Sequence, residues 1–198
     1  IPAAPCAVMT YPDQDCGIAY PVVAKILSPD VLHKTDAGGV VLGIPDAGHL
    51  KAAYQRILDN VHARHPGARI DGVLVQKMER GLAEVILGYR HDPLVGPVVI
   101  VGAGGTLAEI YKDYAIRVAP VDLDEATRMI AEVKALALVR GYRGLPQGDV
   151  AALAAAVVAF SELARLPAAV VAEAEINPLL VKPAGEGVVA VDGLLVTR

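Results

Sequence analysis

The densest collection of reactive side chains lies in SPDVLHKTDAGGV, Ser28 to Val40, where His33, Lys34, Asp36 and the pair Gly38 and Gly39 sit between two apolar runs. Paired glycines let backbone N–H groups turn toward an anion with no Cβ in the way, and a lysine neutralises phosphate as a point charge. The stretch therefore reads as a phosphate cover. On local chemistry alone an ordinary hairpin connection with a solvated lysine and aspartate explains it equally well.

Three other places carry chemistry. Lys25 interrupts the apolar run Pro21 to Leu27. It is either an edge-strand lysine that blocks aggregation or a cation aimed into a cleft toward phosphates. GAGGT, Gly102 to Thr106, follows a strand and is trailed by Glu109 and Asp113. Leu107 stands where a dinucleotide fingerprint needs its third glycine, and no lysine follows as a P-loop requires, so both of those folds are demoted. A turn or bulge is the commoner reason for such a loop. In EINPLLV a period of two places Glu173, Glu175 and Asn177 on one strand face. Counting back from a turn near Gly185 brings Asp192 opposite Asn177 and Pro178. Converging hard oxygens suit Mg²⁺, and the lack of a histidine argues against zinc. A solvent-exposed strand face is the commoner explanation of such charges. His49, His62 and His65 read as exposed helix positions and His91 precedes a turn, which leaves His33 as the candidate histidine. Tyr54, Met129 and Phe160, at helical spacing on apolar faces, read as core.

The elements that must position these residues follow from periodicity. Ile1 to Gly17 is an irregular N-terminal segment. Pro21 to Leu27 and Val40 to Ile44 read as strands, and Asp46 caps a helix with Leu50, Ala53, Tyr54, Ile57, Leu58 and Val61 on its apolar face, ended by Pro66 and Gly67. Ile70 to Met78, Ala83 to Tyr89 and Pro97 to Val101, joined by turn residues, predict an antiparallel meander. Two helices follow, one capped by Asp122 with Glu125 completing a capping box, the other opening near Asp149 and carrying Leu153, Val157, Phe160 and Ala164 until Pro167. Val170 to Val181 and Val188 to Val196, joined across Pro183 to Gly187, predict a terminal hairpin. Strands and helices without strict alternation predict an α+β arrangement in two lobes, with the boundary near Gln76.

Bulk properties narrow the classes. A formal charge of −4 and scattered basic residues exclude a nucleic-acid partner as the first expectation. The apolar run Ala151 to Phe160 falls well short of the roughly 18 to 20 residues of a membrane helix, so no membrane partner is expected. Cys6 and Cys16 supply neither a disulfide framework nor a four-ligand metal site, which fits a reducing cytoplasm. The chain opens on Ile1 with no export signal, as a piece of a longer polypeptide would.

Taken in order, YPVVAKILSPDVLHKTDAGGV, GVLVQKM, DPLVGPVVIVGAGG, RGYRGLP and EINPLLV resemble the ATP-grasp domain of NDP-forming acyl-CoA synthetases, a family that includes ADP-forming acetyl-CoA synthetases. The resemblance runs from about Ile18 to the end of the chain. Between Val8 and Ile18 the sequence is shorter than the family pattern.

The resemblance implies an ATP-grasp fold of two α+β lobes. Residues 1–76 would carry the N-terminal segment, phosphate loop and hinge strand, and residues 77–198 the glycine-rich loop, two helices and metal-binding hairpin. It places purine at the hinge, through backbone groups of Val75, Gln76, Lys77 and Met78, and the triphosphate between the lobes. Lys25 matches the phosphate-binding lysine, Gly38 and Gly39 the mobile loop over the phosphates, and Glu84 is implied at the ribose or the metal. Asn177, Asp192 and Glu175 match the metal-binding residues, so ATP or ADP and Mg²⁺ are the implied cofactors. Phosphoryl transfer through a histidine of a separate CoA-ligase module is implied, interconverting acid, CoA and ATP with acyl-CoA, ADP and phosphate. That module is the implied partner, and the complete enzyme an oligomer. His33 matches a histidine of the HK-T/S-D-x-GG stretch, where its imidazole nitrogen would serve as a second phosphoryl relay. The alternatives are a regulatory synthetase-like domain of a protein acetyltransferase and another ATP-grasp carboxylate ligase.

Overall fold

The computed structural model describes residues 1–31, 33–105, 112–141, 143–144, 146–167 and 170–197. Thr106 and Glu109 of the second glycine stretch, and Leu32, Tyr142 and Leu145 of the quoted motifs, lie outside the described residues. The chain divides into two compact units, Ala4–Met78 and Ile1–Ala3 with Glu79–Arg198. In each, helices cover a face of an antiparallel sheet, which makes the fold α+β.

The Ala4–Met78 unit holds strands β1 (Cys6–Met9), β2 (Val22–Leu27), β3 (Val40–Ile44) and β4 (Gly72–Lys77) and helix α1 (Ala47–Arg64). The strands form an antiparallel sheet in the order β1-β4-β2-β3. Asp46 caps α1 by accepting the His49 N–H at 2.9 Å. Leu50, Ala53, Tyr54, Ile57 and Val61, spaced by three and four, form the buried stripe of α1. They share a core with Val22, Ala24, Ile26, Val73 and Val75. The helix ends at Arg64, where the His65 N–H closes on the Val61 carbonyl at 2.8 Å. Because β2 is paired on both sides, Lys25 stands in the interior of the sheet and the edge-strand explanation of it fails.

The second unit is built on β5 (Ala83–Asp92), β6 (Gly96–Ala103), β7 (Tyr114–Val118), β8 (Val171–Val181), β9 (Val188–Ala190) and β10 (Gly193–Thr197). The sheet order is β10-β8-β5-β6-β7, with β9 also on β8. Helices α2 (Leu123–Glu132) and α3 (Val150–Ser161) lay Met129, Ile130, Leu153 and Val157 onto Val85, Leu87, Val99, Val101, Leu179 and Val181. These residues are nearly inaccessible and form the main apolar core of this unit.

Four expectations are corrected. The segment Ile1 to Gly17, expected to be irregular, contributes strand β1, which pairs with β4 and buries Met9 in the core. The antiparallel meander exists but consists of β5, β6 and β7, whereas β4 pairs with β1 and β2 in the other sheet. After Met78 the chain is turned into the second sheet by the Leu82 N–H on the Val181 carbonyl (2.7 Å) and by the Glu79–Lys182 ion pair (2.8 Å). The capping box at α2 is half formed: Asp122 accepts the Glu125 N–H at 2.8 Å, but the Glu125 carboxylate is taken by Arg117 and Arg128. A guanidinium is the stronger partner for a carboxylate. The terminal hairpin keeps one register from Leu179↔Ala190 to Gly193↔Ile176, but its second strand is interrupted at Val191 and Asp192, so it forms two short strands rather than one.

That hairpin is held to the helices by Asp149. Its carboxylate caps α3 at the Ala152 N–H (2.9 Å) and also accepts the N–H groups of Gly185 (3.0 Å) and Gly187 (2.9 Å) in the β8–β9 turn. Those donors, Ala152 first and then Gly187 and Gly185, hold its pKa below the ordinary carboxylate range. A depressed folded-state pKa means the stabilisation is fully present above the unfolded value of about 3.9 and is lost as pH falls through the lower folded value. Asp149→Ala is predicted to cost about 1–2 kcal/mol in urea unfolding at pH 7. The gap from wild type should shrink below about pH 4. An unchanged urea midpoint at pH 7 would contradict this assignment.

Candidate functional site

In the Ala4–Met78 unit the candidate cation is Lys25. Its side chain is only 6% exposed, and its Nζ donates to Oε1 of Gln76, itself 5% exposed, at 3.1 Å. The contact is diagonal across two strands, because Lys25 lies opposite Leu74 and Gln76 opposite Val23. Burying an ammonium is costly unless its donors are satisfied, and the amide oxygen satisfies one of them. The amide oxygen of Gln76 thereby gives the ammonium a fixed direction. The role of the Gln76 side chain was missed from the sequence, where the residue stood out only as a hinge position. The available signal was a glutamine in an otherwise apolar strand.

The loop before β3 folds tightly on itself. Ala37, Gly38 and Gly39 donate their N–H groups to the carbonyls of His33, Thr35 and Lys34 at 3.2, 2.9 and 2.8 Å, and the Gly39 carbonyl accepts from Ile26 at 2.7 Å. Helix α1 seals the turn through Asn60 on the Gly38 carbonyl (3.1 Å) and Arg64 on that of Asp36 (2.6 Å). The glycines are required by space: Gly38 has φ +67, and a Cβ on Gly39 would stand 2.6 Å from the Ile26 side chain. In this conformation their amides serve the turn itself. The outward-facing chemistry of the loop is His33, Thr35 and Asp36, all exposed.

At the end of β4, Val75 is fully buried, Lys77 exposed and Met78 intermediate. The Lys77 N–H donates to the Pro5 carbonyl (2.9 Å) and that of Met78 to the Pro21 carbonyl (3.1 Å). Those two amides are engaged in tying β4 to its neighbours.

The second unit carries the acidic and amide oxygens. Opposed residues of antiparallel strands share a face, so Val85 and Leu87 of β5 face the core with Leu179 and Ile176, while Glu84, Gly88 and Arg90 face away with Leu180, Glu175 and Glu173. Between the pairs Val85↔Leu179 and Leu87↔Ile176 the strand β8 carries one extra residue, a bulge at Asn177 and Pro178. The bulge returns Leu179 and Val181 to the core, where both are 0% exposed. Asn177 and Asp192 meet as counted from the turn: the Asn177 N–H donates to the Asp192 carbonyl at 3.1 Å, and Asp192 Oδ1 accepts the Gly193 N–H at 3.0 Å. Glu175, two residues away, borders an open apolar groove of about 470 Å³ with Phe160, Ile176, Leu194 and Leu195. Among the described residues no three histidine, cysteine or acidic side chains converge on one point. Backbone register brings Asn177 and Asp192 together, and a carboxylate with an amide oxygen suits Mg²⁺ where waters and phosphates complete the shell.

Comparison with known proteins places this geometry in a family. The family model described as "ATP-grasp domain" matches residues 1–196. The acetate–CoA ligase (ADP-forming) I of Archaeoglobus fulgidus is 45% identical over 172 residues, covering 87% of this chain and 25% of that protein. The beta subunit of acetate–CoA ligase (ADP-forming) II of Pyrococcus furiosus is 36% identical over 181 residues, covering 91% of this chain and 77% of that subunit. Among solved structures, the Ca. Korarchaeum cryptofilum dinucleotide-forming acetyl-coenzyme A synthetase 1 in complex with coenzyme A, Ca-AMPCP and HgCl⁺ aligns over 100% of this chain and 87% of its own, with TM-score 0.93 and 34% identity. A second complex of that synthetase, with coenzyme A and Mg-AMPPCP and its phosphohistidine segment pointing towards the nucleotide binding site, aligns with TM-score 0.83 and 32% identity over 100% of this chain and 86% of its own. The chain spans about a quarter of the length of the single-chain relatives it matches. With a family match along nearly the whole chain and a shared fold at 34% identity, the chain belongs to the ATP-grasp family, in the branch found in ADP-forming acyl-CoA synthetases.

Proposed function

We propose that the chain is the nucleotide-binding part of an ADP-forming acyl-CoA synthetase. It binds ATP or ADP with Mg²⁺ and exchanges a phosphoryl group with a histidine of a CoA-ligase module, so that acid, CoA and ATP interconvert with acyl-CoA, ADP and phosphate. The observation that carries the reading is the Lys25 ammonium, buried on an interior strand and oriented by Gln76. A charge kept on an interior strand is costly, and holding the phosphates of a nucleotide is a reason to keep it. The relatives support the rest: the Korarchaeum synthetase is described with coenzyme A and a nucleotide analogue, and the Pyrococcus relative is one subunit of an ADP-forming ligase.

In this reading Lys25 holds phosphate oxygens, and the segment Val75 to Met78 lines the purine. Two of its N–H groups are already engaged, so the base would be read by the remaining backbone groups. Asn177 and Asp192, with Glu175 nearby in sequence, supply hard oxygens to Mg²⁺, which when bound neutralises charge on the phosphates. Glu84 reaches the ribose or the metal. The His33 loop covers the phosphates, and the imidazole nitrogen of His33, exposed at its start, accepts the phosphoryl group as the oxygen of ADP leaves, or returns it to ADP. Cys6 and Cys16 both carry free thiols, in keeping with a reducing, cytoplasmic setting, and the complete enzyme is an oligomer that includes the CoA-ligase module.

Two outcomes follow. Lys25→Ala should lose about 1.5–3 kcal/mol of ADP affinity, roughly 10- to 150-fold in Kd, in a calorimetric titration. An unaltered Kd would remove Lys25 from the site. In the enzyme assembled with its CoA-ligase module, His33→Ala should abolish phosphoryl transfer while leaving ADP affinity near that of wild type. Unchanged turnover would eliminate the relay.

A further inference from the structure

The glycine stretch after β6 is not used by the chemistry described so far, yet it lies directly against Glu84. The Gly104 N–H donates to the Glu84 carbonyl at 2.8 Å. A Cβ on Gly104 would stand 2.8 to 2.9 Å from the backbone of Glu84 and Val85, so this glycine is demanded by the fold. Gly105 differs in kind. Its φ is +81, and the first atom a Cβ there would strike is the carboxylate oxygen Oε2 of Glu84, with the carboxyl carbon next at 3.5 Å.

The obstructed atom is therefore the free end of a flexible side chain rather than backbone. An alanine at 105 is accommodated by swinging the Glu84 carboxylate aside, at little expense to packing. What such a substitution displaces is the direction of one carboxylate on the outward face of the sheet, the face that also carries Glu175.

The geometry points to Gly105 as a positioning residue: its missing side chain leaves the room that the Glu84 carboxylate occupies, and so lets that carboxylate reach the ribose or the metal of a bound nucleotide. The inference rests on the nucleotide-binding reading above. It assigns to the second glycine loop a task distinct from cradling phosphate, namely leaving room for an acid one strand away.

The test is a double-mutant cycle on the whole chain, with Mg·ADP as the titrant and thermal unfolding as the control. Gly105→Ala is expected to weaken Mg·ADP about 10- to 100-fold, and Glu84→Ala by a comparable factor. The double variant should bind no more weakly than Glu84→Ala alone, because without the carboxylate there is nothing to displace. Gly96→Ala supplies the strain control. Gly96 has φ +85 and nothing within 4 Å of its Cβ position, so it should melt about as early as Gly105→Ala and bind as wild type does. Repeating the titrations without Mg²⁺ identifies the ligand: a penalty that persists assigns Glu84 to the ribose, and one that vanishes assigns it to the metal. Wild-type affinity in Gly105→Ala, penalties that add in the double variant, or an equal loss in Gly96→Ala would each overturn the positioning role. A wild-type chain that does not bind Mg·ADP would instead overturn the nucleotide reading, and this inference with it.

Discussion

The arrangement of the first unit turns on one costly choice, a lysine ammonium buried in the middle of a four-stranded sheet. A charge removed from water must be given partners or it is lost to neutralisation. The sheet order β1-β4-β2-β3 answers this by setting Gln76 on β4 diagonally beside Lys25 on β2. The contact is possible because the ladder from Val22↔Lys77 to Leu27↔Gly72 puts both side chains on one face. The alternate residues Val22, Ala24 and Ile26 then face α1, and the loop before β3 is locked by Asn60 and Arg64 of the same helix. A single helix thus serves both as the core of the unit and as the support of the loop that carries His33.

The second unit solves a different problem, how to present oxygens on one sheet face while keeping a dry core on the other. Strand β8 does it with one extra residue at Asn177 and Pro178, which leaves Leu179 and Val181 buried beyond the bulge. The break in the opposing strand falls at Asp192, beside the same point. Bulges re-aim side chains without abandoning the ladder, and here the re-aimed residues are those proposed to meet the metal. Asp149 anchors the turn from which that register is counted.

Much of this was legible in the sequence, for identifiable reasons. Helix α1 announces itself by the spacing of Leu50, Ala53, Tyr54, Ile57 and Val61 after Asp46, because cap and stripe are local signals. The meeting of Asn177 with Asp192 could be counted from the turn, since hairpin register is local too. The partners of β4 could not: Ile70 to Met78 looks like the first strand of a meander, and only long-range pairing with β1 and β2 places it elsewhere. Gly38 and Gly39 were expected to offer amides to an anion; both amides close the turn instead, a detail of backbone path that composition does not carry. The Lys25–Gln76 contact spans 51 residues of sequence and became visible only once the strands were ordered. The family resemblance suggested roles for these residues, which remain proposals, and their packing supplies reasons for their types.

Calorimetric titration of the wild-type chain with ADP, in the presence and absence of Mg²⁺, tests the central claim most directly. The account predicts saturable binding that is tighter with Mg²⁺, because buried Lys25 is proposed to hold the phosphates and Asn177 and Asp192 are proposed to hold the metal. Absence of binding under both conditions, or an affinity indifferent to Mg²⁺, would contradict it.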